Sequence, residues 1–211
     1  MHALVLTARG KHFSAGFDLR AVSASANAHE RASPVEGVSA FEEFANRLEN
    51  TRLIVIAAIN GPVIGGATDI ALACDLRIGV YHRTSMSMPA ARIGLPLYVG
   101  ALQRYVTRLG LNHAKRLVFL GQKIEAQEML EIGFLSELVA NDALLTCALQ
   151  IASEIADFPP EPLAAMKQVL NAAALGRASA NELRDDLVAA FDGPRTARLI
   201  EAAQSARRSS T

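Results

Sequence analysis

An α/β fold with a helical C-terminal part is what the sequence predicts, on three observations. Apolar runs of strand length alternate with helix-period segments through residues 1–140, the pattern that sets helices against a largely parallel sheet. Leu53, Ile54, Val55 and Ile56 form a continuous, largely β-branched apolar run, as a strand buried on both faces requires. Beyond Asn141 every periodic segment reads as helix. The expected organisation is therefore an α/β core over residues 1–140 and a helical region over residues 141–211.

In chain order, residues 3–8 (ALVLTA) are a short buried-type strand. Arg9, Gly10 and Lys11 form a polar turn, and residues 12–20 mix small side chains with Gly16, which suits unusual backbone conformations and close approach. Residues 21–39 are rich in Ala and Ser, carry Pro34 and Gly37 and hold no sustained period, so a loop long enough to wall a pocket is expected. In residues 41–50, Phe41, Phe44, Ala45 and Leu48 recur at helical spacing with the charges opposite, an amphipathic helix. Residues 75–81 alternate as a strand with Leu76, Ile78 and Val80 to one side, and residues 82–88 are a connector ending in a short strand. Pro89, Gly94 and Pro96 forbid a regular helix in the stretch that follows. Helical patterning covers 99–109, 112–120 (closed by Gly121) and 126–132 (closed by Gly133), and 135–139 is a last strand. Helices follow over 144–156, 163–175, 181–191 and 195–207, with a proline-rich break at 158–162.

Residues 53–75 (LIVIAAINGPVIGGATDIALACD) carry the candidate chemistry. The strand breaks at Asn60, Gly61 and Pro62, and again at Gly65 and Gly66, where backbone without Cβ can bend sharply or admit another molecule. A helix starting at Gly66 leaves its first N–H groups without intrahelical partners, and its dipole favours negative charge there. An oxyanion developing on a carbonyl would be stabilised at that end. Asp69, three residues on, falls on nearly the same helix face one turn along, so a donor and a carboxylate could address one substrate. A tight connection followed by a dipole-favoured first-turn Asp would give the same letters. The spacing of Gly61, Gly65 and Gly66 does not fit a G-x-G-x-x-G loop, and no Lys-Ser/Thr pair completes a phosphate loop.

Composition narrows the partners. Lys plus Arg and Asp plus Glu both total 21 in 211 residues, a balance that recommends neither nucleic acid nor an anionic membrane. Cys74 and Cys147, both in apolar settings, give neither a disulfide framework nor a zinc motif, and no metal site is expected. The first residues lack the charged and apolar regions of a signal peptide, and no apolar run reaches membrane-spanning length. A cytoplasmic protein is expected.

Three groups of residues then carry a resemblance, in order and over nearly the whole chain. Phe13-Ser14-Ala15-Gly16-Phe17-Asp18-Leu19 matches an A-G-x-D-L loop. Ile59-Asn60-Gly61, Gly65-Gly66-Ala67-Thr68-Asp69 and Ala73-Cys74-Asp75 form the second group. Ile93-Gly94-Leu95-Pro96, Gly100, Gln103-Arg104, Ala126 and Ile132-Gly133-Phe134-Leu135 form the third. Together they resemble the crotonase, or enoyl-CoA hydratase/isomerase, superfamily. The resemblance implies a crotonase-like spiral of ββα units whose C-terminal helical region builds trimers, often paired into hexamers. It also implies a coenzyme A thioester as substrate, with no separate cofactor. The backbone N–H groups of Phe17 and Gly66 would hold the thioester oxygen as it becomes enolate-like, with Asp69 as the catalytic acid. Ser14, Ala15, Asp18 and Leu19 would bend around the adenine end of coenzyme A. Gly65, Pro89, Leu95 and Tyr98 would complete the substrate-binding wall, Tyr98 standing where related isomerases carry a pocket acid.

Departures from the family pattern bear on the reaction. Family hydratases carry Glu where this sequence has Asp69, one methylene shorter, and their second acid falls at Ala90. Hydration in the family uses two carboxylates, whereas one suffices to move a proton between carbons. The expected activity is acyl-CoA processing of enoyl-CoA hydratase/isomerase type. The alternatives are a decarboxylase or thioesterase of the same fold and a non-catalytic acyl-CoA-binding subunit. Family chains also carry a strand-helix-strand segment before the strand matched by residues 3–8, and this sequence begins without it. The fold is therefore expected to be short of that segment.

Overall fold

A computed structural model of the chain describes residues 2–18, 34–176 and 194–208, with a few helical positions between 184 and 188. Strands with apolar residues on both faces build the principal sheet: β1 (Ala3–Thr7), β2 (Ile54–Ile59), β4 (Leu76–Val80) and β7 (Glu137–Val139). They pair in the order β1-β2-β4-β7, all parallel. A second sheet, β3 (Val63–Ile64), β5 (Ser85–Ser87) and β6 (Ile124–Glu125), pairs β3 with β5 in parallel and β5 with β6 antiparallel. The expected α/β class with a parallel sheet is what the structure shows.

β2 explains the two layers. Val55, Ala57 and Ile59 face one apolar cluster and Ile56 and Ala58 face another, all at 0% exposure, so the continuous apolar run is used on both sides. The first cluster packs helices α1 (Pro34–Asn50), α2 (Gly66–Ala73), α3 (Val99–Leu109), α4 (Leu111–Leu120) and α5 (Ala126–Glu131) against the sheet. On the opposite face Leu144, Ala148 and Ile155 of α6 (Leu144–Ala156) pack on Ile56, Ile78 and Val80. Helices α7 (Pro160–Ala174) and α8 (Pro194–Arg208) complete the described elements. Among the described residues no helix is long and apolar enough to cross a membrane.

Two helices begin earlier than the sequence predicts, both at proline. α1 starts at Pro34 rather than Phe41, and α7 takes in Pro160 and Pro162 rather than starting at Leu163. A proline in the first turn loses no hydrogen bond and brings a preset φ, so it opens a helix as readily as it breaks one. The apolar stripe of α1 is narrower than its spacing implies, because Ala45 and Leu48 are buried while Phe44 is 49% exposed. Residues 21–33 of the expected loop, Leu19 and most of the helix expected over 181–191 lie outside the described residues.

α7 is tied to the sheet by one buried cation. Lys167 Nζ donates to Asp75 Oδ2 at 2.7 Å and to the Leu53 carbonyl at 2.8 Å, and the same Asp75 oxygen accepts the Val55 N–H at 2.7 Å. The start of β2, the end of α2 and α7 thus meet at one carboxylate. Removing one partner of a buried pair leaves the other uncompensated. Lys167→Met, which keeps most of the side-chain volume, is expected to lower unfolding stability by about 3 kcal/mol, read from urea denaturation midpoints.

Candidate active site

The site forms where β3 runs into α2. Gly65 sits at φ 58° between them, a left-handed conformation that favours glycine. α2 has no side-chain cap; instead Thr68 returns its N–H (2.9 Å) and its hydroxyl (2.6 Å) to the Gly65 carbonyl. Among the described residues neither the Gly66 nor the Phe17 N–H donates a backbone hydrogen bond outside regular elements.

Backbone pairing brings the 13–17 segment to that helix end. Phe13 N and Ser14 N both donate to the Pro62 carbonyl (3.0 and 3.3 Å), and Ile64 N donates to the Ser14 carbonyl at 3.0 Å. Gly16 follows at φ 84°, so close that a Cβ there would fall 2.4 Å from Ile64 O and 2.8 Å from Gly66 N. Gly66 is constrained similarly, since a Cβ on it would meet the Phe41 ring at 2.8 Å. The Phe41 ring in turn packs edge-on to Phe17, centroids 6.1 Å apart. The structure therefore joins the segments of the two expected backbone donors. Ser14 lies in this junction, while Ala15 and Asp18 are exposed beside it.

Asp69 is 1% exposed. Tyr98, at the start of α3, donates its hydroxyl to Asp69 Oδ2, and Arg104 Nε of α3 lies 3.5 Å from Oδ1. Burial pushes the Asp69 carboxyl above the usual carboxylate range; Arg104 and the Tyr98 hydrogen bond pull it down, while Glu49 and Glu42 of α1 push it further up. Burial, and then Asp69 itself, raise the Tyr98 phenol well above its ordinary value. The same turn of α2 is also braced from α3, with Thr68 hydrogen-bonded to the buried Tyr105. Ala90 lies on a 3-10 turn (Ala90–Ile93) and packs partly buried against the main core. The second proton-bearing group at Asp69 is thus Tyr98. Pro89 and Leu95 belong to the outer part of that turn, with Leu95 39% exposed, and neither is among the polar partners of Asp69.

What sequence reading missed is the polar face of α1. Glu42, Asn46 and Glu49 follow at spacings of four and three, one helix face, which reads as solvated charge. In the fold that face looks at α3 and lines a polar cavity of about 350 Å³ together with Gly100, Gln103 and Arg104 of α3 and Asn171 of α7. Arg104 and Arg108, spaced to match, were the available signal.

The enoyl-CoA hydratase/isomerase family model matches residues 1–193. The chain belongs to that family. It is 33% identical over 170 residues to the short-chain-enoyl-CoA hydratase of Clostridium acetobutylicum, covering 80% of this chain and 63% of that one. The solved structure of Pseudomonas aeruginosa DspI superposes with a TM-score of 0.86 at 31% identity, covering 97% of this chain and 78% of that one. An enoyl-CoA hydratase from Bacillus anthracis gives a TM-score of 0.83 at 28% identity, covering 99% and 79%. The chain spans under two thirds of the length of its Clostridium relative and of the Mycosarcoma maydis enoyl-CoA isomerase/hydratase it also matches.

Gly16 tests the junction in this family member. Gly16→Ala places a side chain at positive φ, a cost of about 1–3 kcal/mol before any clash, and drives it into backbone. A drop in urea stability of at least that size is expected, while the same change at Gly10, with open space around its Cβ position, costs less.

Proposed function

We propose that the chain is an acyl-CoA-processing enzyme of enoyl-CoA hydratase/isomerase type, working on a thioester whose oxygen is held by the Phe17 and Gly66 N–H groups. The observation that carries this reading is Asp69. It is a carboxylate 1% exposed, three residues after the uncapped start of α2, with an upward-shifted titration that makes returning a proton easier. In the isomerase direction the steps balance without another reagent. Asp69 takes a proton from C2 of a 3-enoyl thioester, and the electron pair spreads into the C3=C4 bond and onto the thioester oxygen. The same carboxyl then protonates C4, leaving C2=C3. The step is redox-neutral, so no separate cofactor is called for.

Ser14, Ala15 and Asp18 are proposed to meet the adenine end, and Gly65, Pro89, Leu95 and Tyr98 the thioester and acyl portions. A second reading, a decarboxylase or thioesterase relying on the backbone donors, draws support from Asp69 being closed in behind Tyr98. Assembly through the C-terminal helices as a trimer or hexamer is the proposal that goes with the family, supported by Leu145, Leu149 and Leu170 standing more than half exposed. A cytoplasmic location completes it.

The test is a panel of 2-enoyl, 3-enoyl, malonyl-type and saturated acyl-CoA thioesters, with products read by chromatography and mass spectrometry. Conversion of an enoyl thioester is expected, and Asp69→Asn should lower that turnover by about 100-fold or more while acyl-CoA affinity by calorimetry changes little. Full turnover by Asp69→Asn would remove its role. Carbon dioxide or free coenzyme A would establish the second reading, and tight binding without products a non-catalytic subunit.

A further inference from the structure

A guanidinium is buried between two carboxylates behind the site. Arg104 is 2% exposed; its Nε lies 3.5 Å from Asp69 Oδ1 and 3.7 Å from Glu49 Oε2, and its Nη2 donates to Asn46 Oδ1 at 2.8 Å. Glu49 is anchored in turn, with its Oε1 2.7 Å from Arg108 Nη2, and the same Arg108 nitrogen donates to Asn171 Oδ1 at 3.0 Å. Space for the head group is left by Gly100, where a Cβ would fall 3.2 Å from Arg104 Nη1 and 3.3 Å from Glu42 Oε1. Arg104 Nε and Asp69 Oδ1 are both buried and, among the described residues, both lack a hydrogen bond. Each is the nearest charged atom of opposite sign to the other, about half an ångström beyond ordinary hydrogen-bond length. Leaving such groups unpaired is costly, so a small shift that joins them is favourable.

We propose, resting on the reading of Asp69 as the proton-moving group, that Arg104 is its positioning residue: Glu49 and Asn46 fix the guanidinium, which fixes the orientation and charge of the Asp69 carboxylate while Tyr98 holds the other oxygen. The charged and titratable groups that face Asp69 are Glu42 and Glu49 from α1, and Tyr98, Arg104 and Tyr105 from α3 and the residue that starts it. Of these, Arg104 is the strongest influence opposing burial. Arg104 acts through Asp69 and touches no reacting atom. The cavity lined by Glu42, Asn46, Glu49 and Gln103 has Arg104 itself in its wall, and Asp69 is not among its lining residues.

The experiment follows the Asp69 carboxyl directly. The full chain, labelled with carboxyl-carbon-13 aspartate and assigned with Asp69→Asn, is titrated by NMR alongside Arg104→Gln, Arg104→Lys and Glu49→Gln. Losing a cation at this distance should raise the Asp69 midpoint by about one pH unit or more. Removing a like charge should lower it, and Lys should keep it near its starting position. The acid limb of kcat, on the thioester turned over fastest in the panel, should move with each midpoint while KM stays nearly constant. If Arg104→Gln does not fold, the opposite-signed Glu49→Gln shift and the retained position in Arg104→Lys still decide. An unmoved midpoint in folded Arg104→Gln, or an upward shift in Glu49→Gln, overturns the proposal. Because the titration needs no turnover, this outcome is separate from a failure of Asp69 as catalyst, which Asp69→Asn reports.

Discussion

Helix α2 is eight residues long and buried from Ala67 to Ala73, and the site follows from that burial. Terminal N–H and C=O groups of a helix have no intrahelical partners, and away from water each needs another. At the C-terminal end the protein supplies one itself: Arg77 Nη1 donates to the Cys74 carbonyl at 2.6 Å and the Ala71 carbonyl at 3.3 Å, and Nε donates to the Phe134 carbonyl. Burial pushes Arg77 down to about 10, which leaves it a cation at neutral pH where the helix dipole favours one. At the N-terminal end no side chain caps, and glycines at 16, 65 and 66 keep Cβ atoms away. One end is closed by the chain's own charge, and the other is the end proposed to hold the thioester oxygen.

Burying α2 also buries Asp69, and the neighbouring charges respond to that. Three carboxylates, Asp69, Glu49 and Glu42, lie near two guanidinium groups, Arg104 and Arg108. Buried ion pairs of this kind add little to stability once desolvation is counted, and apolar residues of similar volume often do better. A network anchored from α1, α3 and α7 is therefore better explained by what it does to one carboxylate than by what it adds to the fold. Cys74, a turn away, shows the contrast. Its thiol donates to the Ile70 carbonyl at 3.3 Å and is pushed up to about 12 by burial, so it stays protonated and inert.

Legibility in the sequence followed the range of the interactions. β2, the helix start at Gly66 and the bounds of α3 and α6 could be read because local letters decide them: a β-branched run, paired glycines, an uninterrupted apolar period. Pro34 and Pro160 misled because proline permits a first turn as well as forbidding a later one, and the choice rests on what packs after it. Asp69 and Tyr98 were each singled out, yet their hydrogen bond was not legible, since 29 residues separate them and only the packing of α3 on α2 joins them. Glu49 read as solvated because a single helix shows its polar face but not its neighbour. Arg108 on α3 and Asn171 on α7 give that face its partners.

The pairing of Asp69 with the Tyr98 phenol, and an alanine at position 90, constrain the proposed chemistry. Tyr98, held protonated by burial and by the charge beside it, is a hydrogen-bond donor at neutral pH and no base. Water adding at C3 of an enoyl thioester loses a proton while C2 gains one, and a single carboxylate keeps that balance only if it also holds the water while taking and returning the proton. Tyr98 is a poor helper in that task as an acid, since giving up its proton would leave a phenolate against buried carboxylates. Isomerisation makes no such demand, because the proton taken from C2 is the one delivered to C4 and Asp69 is alternately base and acid. Within the proposed hydratase/isomerase activity, Ala90 at the expected place of a second acid weights the site toward moving a double bond rather than hydrating it.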